Sequence, residues 1–305
     1  MREMSLPAPQ VITKKFGAKS NIRGALELIL TWLCIAAAVL VTSYLGTWAA
    51  VPGLLLLAGL QHRLFTIYHD AFHGCLVSNV DLGHFLGKLF AAYPSLTRYD
   101  NVRKRHLDHH MHAASIEDPE RVSHCSSWQE LLPMMYQIPW ALSRAVFGKA
   151  PFEREFNKVL AQRTEVPFAL SVREGLSIVV VMIVVIAILG LLCWSIGRSF
   201  LWALIYPLGL VLIAMPIMVL RQWTEHYNQD DKTVDEKYTY VRSNLLERFW
   251  FSPMNFNYHG AHHFYPWISH HNLPYLHAHL MELGVSIKER PSYMGIVMTL
   301  PWRAA

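Results

Sequence analysis

Two stretches near the amino terminus, Leu26 to Leu45 and Trp48 to Phe65, run almost without charge and are parted only by Gly46 and Thr47. Two more, Leu176 to Ile196 and Phe200 to Leu220, are parted by Gly197, Arg198 and Ser199. Each stretch is close to the ~20 apolar residues a helix needs to cross a bilayer. Turns this short leave room only for antiparallel pairs, because backbone inside lipid must satisfy its own hydrogen bonds. The pattern predicts an all-α membrane protein with four transmembrane helices arranged as two hairpins. The remaining segments, 66–175 and 221–305, are expected to form a helical cap, and the absence of repeats or linkers points to a single domain over 1–305.

Between the hairpins, Asp81 to Leu96 has helical periodicity, with Leu82, Phe85, Leu86, Leu89, Phe90 and Tyr93 on one face and Asp81, His84 and Lys88 on another. Such a helix lies in the membrane interface or packs on the cap. Ser126 to Val146 is rich in Trp, Met, Tyr and Pro, which suits a segment bordering a lipid entrance. Pro133 and Pro139 argue against a fifth straight span there.

The composition, 53% hydrophobic and only 16% charged, excludes an ordinary soluble domain. Arg2, Lys14, Lys15, Lys19 and Arg23 precede the first span, and Arg98, Arg103, Lys104 and Arg105 lie in the central segment, whereas the opposite turns carry only Arg198. By the positive-inside rule the termini and the central segment are cytoplasmic. A multi-pass location in a bacterial inner membrane is expected. The first span is too long, and lacks the cleavage pattern, for a removable signal peptide. The net charge of +5 flanks membrane spans and accompanies no nucleic-acid motif, so anionic headgroups or an acidic redox protein are the expected partners. Cys34, Cys75, Cys125 and Cys193 have no paired spacing and suggest neither disulfides nor a cysteine metal site.

Candidate chemistry enters with the histidines. His69 and His73 stand in HDAFH, His106, His109 and His110 in HLDHH, and His259, His262 and His263 in HGAHH. Spacings of three and four place each cluster along one helical face, so that two or three imidazoles can meet at a point. A chance HxxHH occurs in only about one such chain in twenty, and this chain has two. First-row metals take about four to six ligands, so eight convergent nitrogens fit a pair of ions. Imidazole alone does not choose among Fe, Zn, Cu and Ni. All clusters fall on the expected cytoplasmic side, where the second and fourth spans, continued as helices, would deliver His69, His73 and Arg221 to His226. The spans carry essentially no acid beyond Glu27 at the first entrance, which disfavours the competing reading as a non-enzymatic metal-binding or transport protein.

The order HxxxH, HxxHH, HxxHH, with LRQWTEH, NFNYHGAHHFYP and LPYLH in the second half, resembles the integral-membrane fatty acid desaturase and hydroxylase superfamily, its bacterial-type desaturase branch in particular. The resemblance runs from about Trp48 to His277. It implies an O₂-dependent di-iron oxidoreductase acting on a C–H bond of a long-chain lipid, most often a fatty acyl desaturase, with electrons from an external ferredoxin, rubredoxin or cytochrome b5 type donor. It further implies that the eight histidines are iron ligands and that His226, in TEH, completes the set. Gln222, one turn earlier, is the alternative. Asp70, Asp108, Glu225 and Asn257 lie beside these histidines and are candidates to orient their N–H groups. His112, His270, His271, His277 and His279 are not expected to bind metal. The third cluster lacks the GEGxHNxHH form of acyl-CoA desaturases, and HDAFHG with DHHMHAASIEDPE also resembles carotenoid ketolases. Hydroxylation, ketolation and oxidative decarboxylation therefore stand beside desaturation.

The topology has a direct check. Cysteines introduced near Gly46 and Arg198 are expected to label from the face opposite to the amino terminus, the Arg98–Arg173 segment and the carboxyl terminus. Labelling of those two turns from the cytoplasm would reverse the arrangement.

Overall fold

The computed structural model of the chain describes residues 6–113, 117–120, 125–149, 151–154, 172–226 and 238–302. Part of the expected cytoplasmic segment, 155–171, lies outside the described residues. Helix α1, Pro9–Phe16, begins at a proline, where the missing N–H costs nothing. Next, α2 spans Asn21–Leu45, capped by the Ser20 side chain, which accepts the Arg23 N–H at 3.2 Å. Gly46, at φ 92°, ends it in a conformation that only glycine adopts freely. Helix α3, Ala50–Phe72, returns against α2.

Beyond α3 come α4, Val80–Gly87, continued by a π-turn over Lys88–Ala92; α5, Tyr99–His112; α6, Trp128–Met135; and α7, Gln137–Phe147. Then α8 covers Val172–Ser195. A further run from Phe200 comprises a 3₁₀ turn, α9 (Ile205–Gly209), a π-turn and α10 (Met215–His226). The carboxyl-terminal part holds β1 (Thr239–Val241), α11 (Leu245–Trp250), α12 (His259–Phe264), α13 (Leu273–Glu282), β2 (Lys288–Arg290) and α14 (Tyr293–Val297). The two strands pair in parallel, Tyr240 opposite Glu289, a small departure from the all-helical expectation.

Four stretches are long and apolar enough to cross a membrane: Asn21–Leu45, Thr47–Phe72, Arg173–Ser195 and Phe200–His226. The second and fourth outlast the hydrophobic runs by nearly two turns each. Hydropathy stops at the first polar residues, but a helix satisfies its own backbone and continues while its polar side chains find partners. Here those residues are buried, His69, Asp70, Arg221 and His226 among them. Outward faces of the long helices are apolar, as with Ile29, Leu33 and Val41 on α2 and Val180, Ile183 and Trp194 on α8, the arrangement lipid rather than water demands. Hydroxyls on the inner faces return to their own helix: Thr31 donates to the Glu27 carbonyl at 2.6 Å and Thr42 to that of Ala38 at 2.7 Å.

The amphipathic stretch from Asp81 splits its apolar face. Leu86, Leu89 and Tyr93 pack on the core while Leu82, Phe85 and Phe90 remain exposed. Between α6 and α7 the chain breaks at Tyr136, whereas Pro133 is accommodated inside α6. Leu131 and Met134 of α6 pack with Leu220 and Trp223 of α10 and with Tyr293, Ile296 and Val297 of α14.

A polar tie joins three distant parts of the chain. Asp70 Oδ2 on α3 accepts from His270 Nδ1 at 2.6 Å, from the Ser269 hydroxyl at 2.8 Å and from the His270 backbone N–H at 3.2 Å. The other ring nitrogen of His270 donates to Glu27 of α2 at 3.2 Å. Burial opposes protonation of His270, but the Asp70 and Glu27 carboxylates outweigh it and hold its pKa up at about 9. Arg23 is the further charged neighbour, and His271, whose pKa burial, His270 and Arg23 push below the usual histidine value, the further titratable one. A histidine with a raised folded pKa contributes stability that is complete below its unfolded value of ~6.5 and is lost as pH rises through the folded one. The unfolding temperature of the purified protein is thus expected to fall as pH is raised through about 9. His270→Gln should start lower and fall less, and equal slopes would show that this tie is not titrating.

Candidate metal centre

Four helices end around one buried volume. His69 lies in the last turn of α3 and His73 caps it; α5 supplies His106, His109 and His110 from its last two turns. His226 is the final residue of α10, and α12 supplies His259, His262 and His263. Two local features set the α12 backbone. Met254 and Asn255 take positive φ just before it, turning the chain sharply. Gly260 lets it lie against β1, since a Cβ there would stand 3.0 Å from the Thr239 carbonyl oxygen and 2.9 Å from Ile287.

The nitrogens fall into two groups able to hold a metal ion. One comprises His69, His73, His106, His110 and His262, the other His109, His226 and His263. His259 adjoins the second, its Nε2 being 2.9 Å from both His226 Nε2 and His263 Nε2. In the first group the Nε2 atoms of His69 and His106 are 2.8 Å apart, those of His106 and His110 3.0 Å, and those of His110 and His262 3.1 Å. With metal–nitrogen bonds of ~2.1 Å, two ligands at a right angle stand ~3.0 Å apart, so the spacing fits shared coordination.

Protonation states agree with that fit. Burial first, and crowding by other imidazoles second, pushes His73, His110, His259, His262 and His263 well below the usual histidine pKa. Neutral imidazole is the form that ligates. His109 is the exception. Burial lowers its pKa too, but Asp118 and Glu120 more than offset this and raise it. Its Nδ1–H donates to both Asp118 oxygens, at 2.8 and 2.9 Å, leaving Nε2 buried with no protein partner among the described residues. A carboxylate that fixes Nδ1–H turns the lone pair on Nε2 toward a metal.

Of the residues expected to orient ligands, Glu225 approaches one: its Oε2 is 3.6 Å from His259 Nδ1, while its Oε1 accepts from Tyr293 at 2.8 Å. The others have different partners. Asp70 holds His270, and Asn257 binds the Val241 carbonyl at 3.2 Å. Asp108 is partly exposed and meets no ligand ring among the described residues. Gln222 stops short of the metal groups and donates to Glu120 at 2.7 Å. Glu120 in turn stands 3.4 Å from His106 Nδ1. His112, His270, His271, His277 and His279 all lie outside both groups. Asp118 and Glu120 were not singled out from the sequence, although they are the acids of the DHHMHAASIEDPE stretch. A loop sets their register against α5, and helical periodicity cannot read a loop.

The fatty acid desaturase family matches residues 45–293. Dihydrorhizobitoxine desaturase of Bradyrhizobium elkanii is 36% identical over 101 residues, which is 33% of this chain. The match spans only 28% of that protein's length.

Removing the Asp118 carboxylate is expected to weaken metal retention about 10–100-fold. Asp118→Asn and Asp108→Asn, compared by metal content after competition with a chelator, should differ by that margin. Unchanged retention in Asp118→Asn would remove it from the centre. His226→Ala should also lower bound metal, and Gln222→Ala should do so less.

Proposed function

This chain belongs to the fatty acid desaturase family, and on that premise we propose that it is an O₂-dependent membrane oxidoreductase which withdraws hydrogen from an unactivated C–H bond of a long-chain lipid, forming a double bond. The observation that carries the reading is the gathering of eight imidazoles, six of them buried, into two groups, with a ninth, the buried His259, adjoining the second, a donor set with capacity for two ions. Iron is the metal we assign. The desaturase named among the relatives supports desaturation over hydroxylation, although that match covers a third of the chain.

When bound, a pair of irons supplies the capacity to activate O₂ and take hydrogen from carbon. The chain's own part is positioning and exclusion of water. Asp118 fixes His109, and Glu120 with Gln222 behind it fixes His106, so these two rings of α5 face their groups in one orientation. Glu225, held by Tyr293, stands behind His259 on the opposite side. Phe256 lies between the groups, its centroid 4.7 Å from that of His69 and 5.7 Å from that of His259. An apolar wall of that kind admits a hydrocarbon and excludes water, which protects a reactive centre from wasteful reduction.

Removing two hydrogens from the chain while O₂ becomes two waters needs two more electrons and two protons. The sequence holds neither a haem nor a ferredoxin motif, so we assign the electrons to a separate ferredoxin, rubredoxin or cytochrome b5 type protein. In the proposed arrangement two helix hairpins cross a bacterial inner membrane and carry the centre on its cytoplasmic side. The acidic stretch around Asp118 and Glu120 favours ketolation as the second reading, through its likeness to carotenoid ketolases.

The purified protein is expected to contain two irons per chain, ligated by nitrogen, and X-ray absorption tests both. A single zinc or sulfur ligation would rule the reading out. Expression in a host with simple lipids, followed by mass spectrometry, should show a product lighter by two hydrogens, whereas a gain of oxygen would assign the hydroxylase or ketolase reaction instead.

A further inference from the structure

Arg221 stands one turn before Glu225 on α10, its side chain only 5% exposed. The guanidinium carbon lies 4.1 Å from the centroid of Phe256 and 4.9 Å from that of Phe65. Nη2 is 3.4 Å from Glu225 Oε2, whereas Nε and Nη1 are buried and meet no acceptor among the described residues. Glu225 is anchored independently by the Tyr293 hydroxyl. A buried cation with two donors unmet is costly, and aromatic faces compensate only part of the lost hydration. Neutralising Glu225 would require only a point charge, while a planar fork with free N–H groups is suited to a carboxylate. The place is informative too. Phe256, against which the guanidinium lies, is also in contact with His69 and His259, so an anion on Arg221 would sit one aromatic ring from both histidine groups.

We propose that Arg221 receives the carboxylate of the substrate, so that the substrate is a free carboxylic acid rather than a chain held as a thioester or a glycerol ester. This rests on the reading of the centre as a lipid oxidase. Bound there, the acid places carbons near its carboxyl end against the metal groups. An ester or thioester carbonyl carries no charge to match the guanidinium and leaves its buried donors poorly satisfied.

The test is equilibrium binding of radiolabelled hexadecanoate, methyl hexadecanoate and hexadecanol to the full-length, metal-loaded protein in nanodiscs. The unaltered protein is expected to bind the acid at least tenfold more tightly than the ester or the alcohol. Arg221→Gln should lose that preference, and Arg221→Lys should keep part of it. Metal content, measured for each variant, separates loss of the anion site from disturbance through Glu225, and the acid-to-ester comparison needs no variant at all. Equal binding of acid and ester, or a preference that survives in Arg221→Gln, overturns the assignment. Displacement of hexadecanoate by phosphatidate at lower concentration than by hexadecanoate itself would give the guanidinium to a phosphate headgroup and overturn it equally. Failure of all three chains to bind would overturn it together with the lipid reading, whereas equal binding leaves that reading standing.

Discussion

Eight imidazoles, six of them buried, brought nitrogen to nitrogen at 2.8 to 3.1 Å are held against their own preference. Lone pairs facing one another repel, and a proton shared between two rings satisfies only one contact at a time. Protonating several rings would place like charges together where water cannot screen them. A cation at the focus removes the conflict, since each lone pair then has a common acceptor. Structural zinc sites contribute on the order of 10–16 kcal/mol, against a net domain stability of only ~5–15 kcal/mol. On that scale the ends of α3, α5, α10 and α12 converge because of what they can jointly hold.

Charge is sorted in shells around that focus. Burial and crowding hold His73, His106, His110, His259, His262 and His263 below the usual histidine pKa, with His109 the exception, and the carboxylates stand behind the rings, on the far nitrogens: Asp118 on His109, Glu120 near His106, Glu225 near His259. Burial opposes ionisation of Asp118 and Glu120, but the histidines they face outweigh it and keep both below the usual carboxylate range. Placing the negative charge one ring away increases imidazole basicity without occupying a coordination position. Gln222, Tyr293 and the Asp70–His270 tie then brace the outer layer against α10, α14 and α2.

Much of this was legible along the chain, and the unread part has a common character. The long helices announce themselves because burial in lipid demands uninterrupted apolar runs, and the histidine triplets because helical spacing converts sequence distance into a shared face. The grouping of His109 with His226 and His263, apart from His106 and His110, could not be read that way. Adjacent residues on one helix point about 100° apart, so His109 and His110 serve different groups, and only the packing of α5 decides which. Orienting groups are expected beside the ligands, at Asp70, Asp108, Glu225 and Asn257; Glu225 reaches His259, but Asp70 and Asp108, next to His69 and His109 in a helix, face away from those rings. The acids that reach His109 and His106 come from a connecting loop, whose course no periodicity reveals.

The membrane part and the centre make complementary demands on the same helices. Exposed Ile29, Leu33, Val180 and Ile183 are tolerable only where lipid covers them, so the bilayer fixes the depth of α2 and α8. Depth alone does not fix rotation, which comes from packing and polar anchors. Gln61 of α3 donates to the Tyr206 carbonyl of α9 at 2.7 Å, and Trp32 of α2 donates to that of Phe90 at 2.8 Å. Each such bond is strong in an apolar setting because no water competes for it. The first of them joins the two long apolar stretches, Thr47–Phe72 and Phe200–His226, that carry His69 and His226. An error of rotation along these stretches would therefore carry an imidazole out of reach of its group, which is how a centre beyond the uncharged runs comes to depend on polar contacts within them.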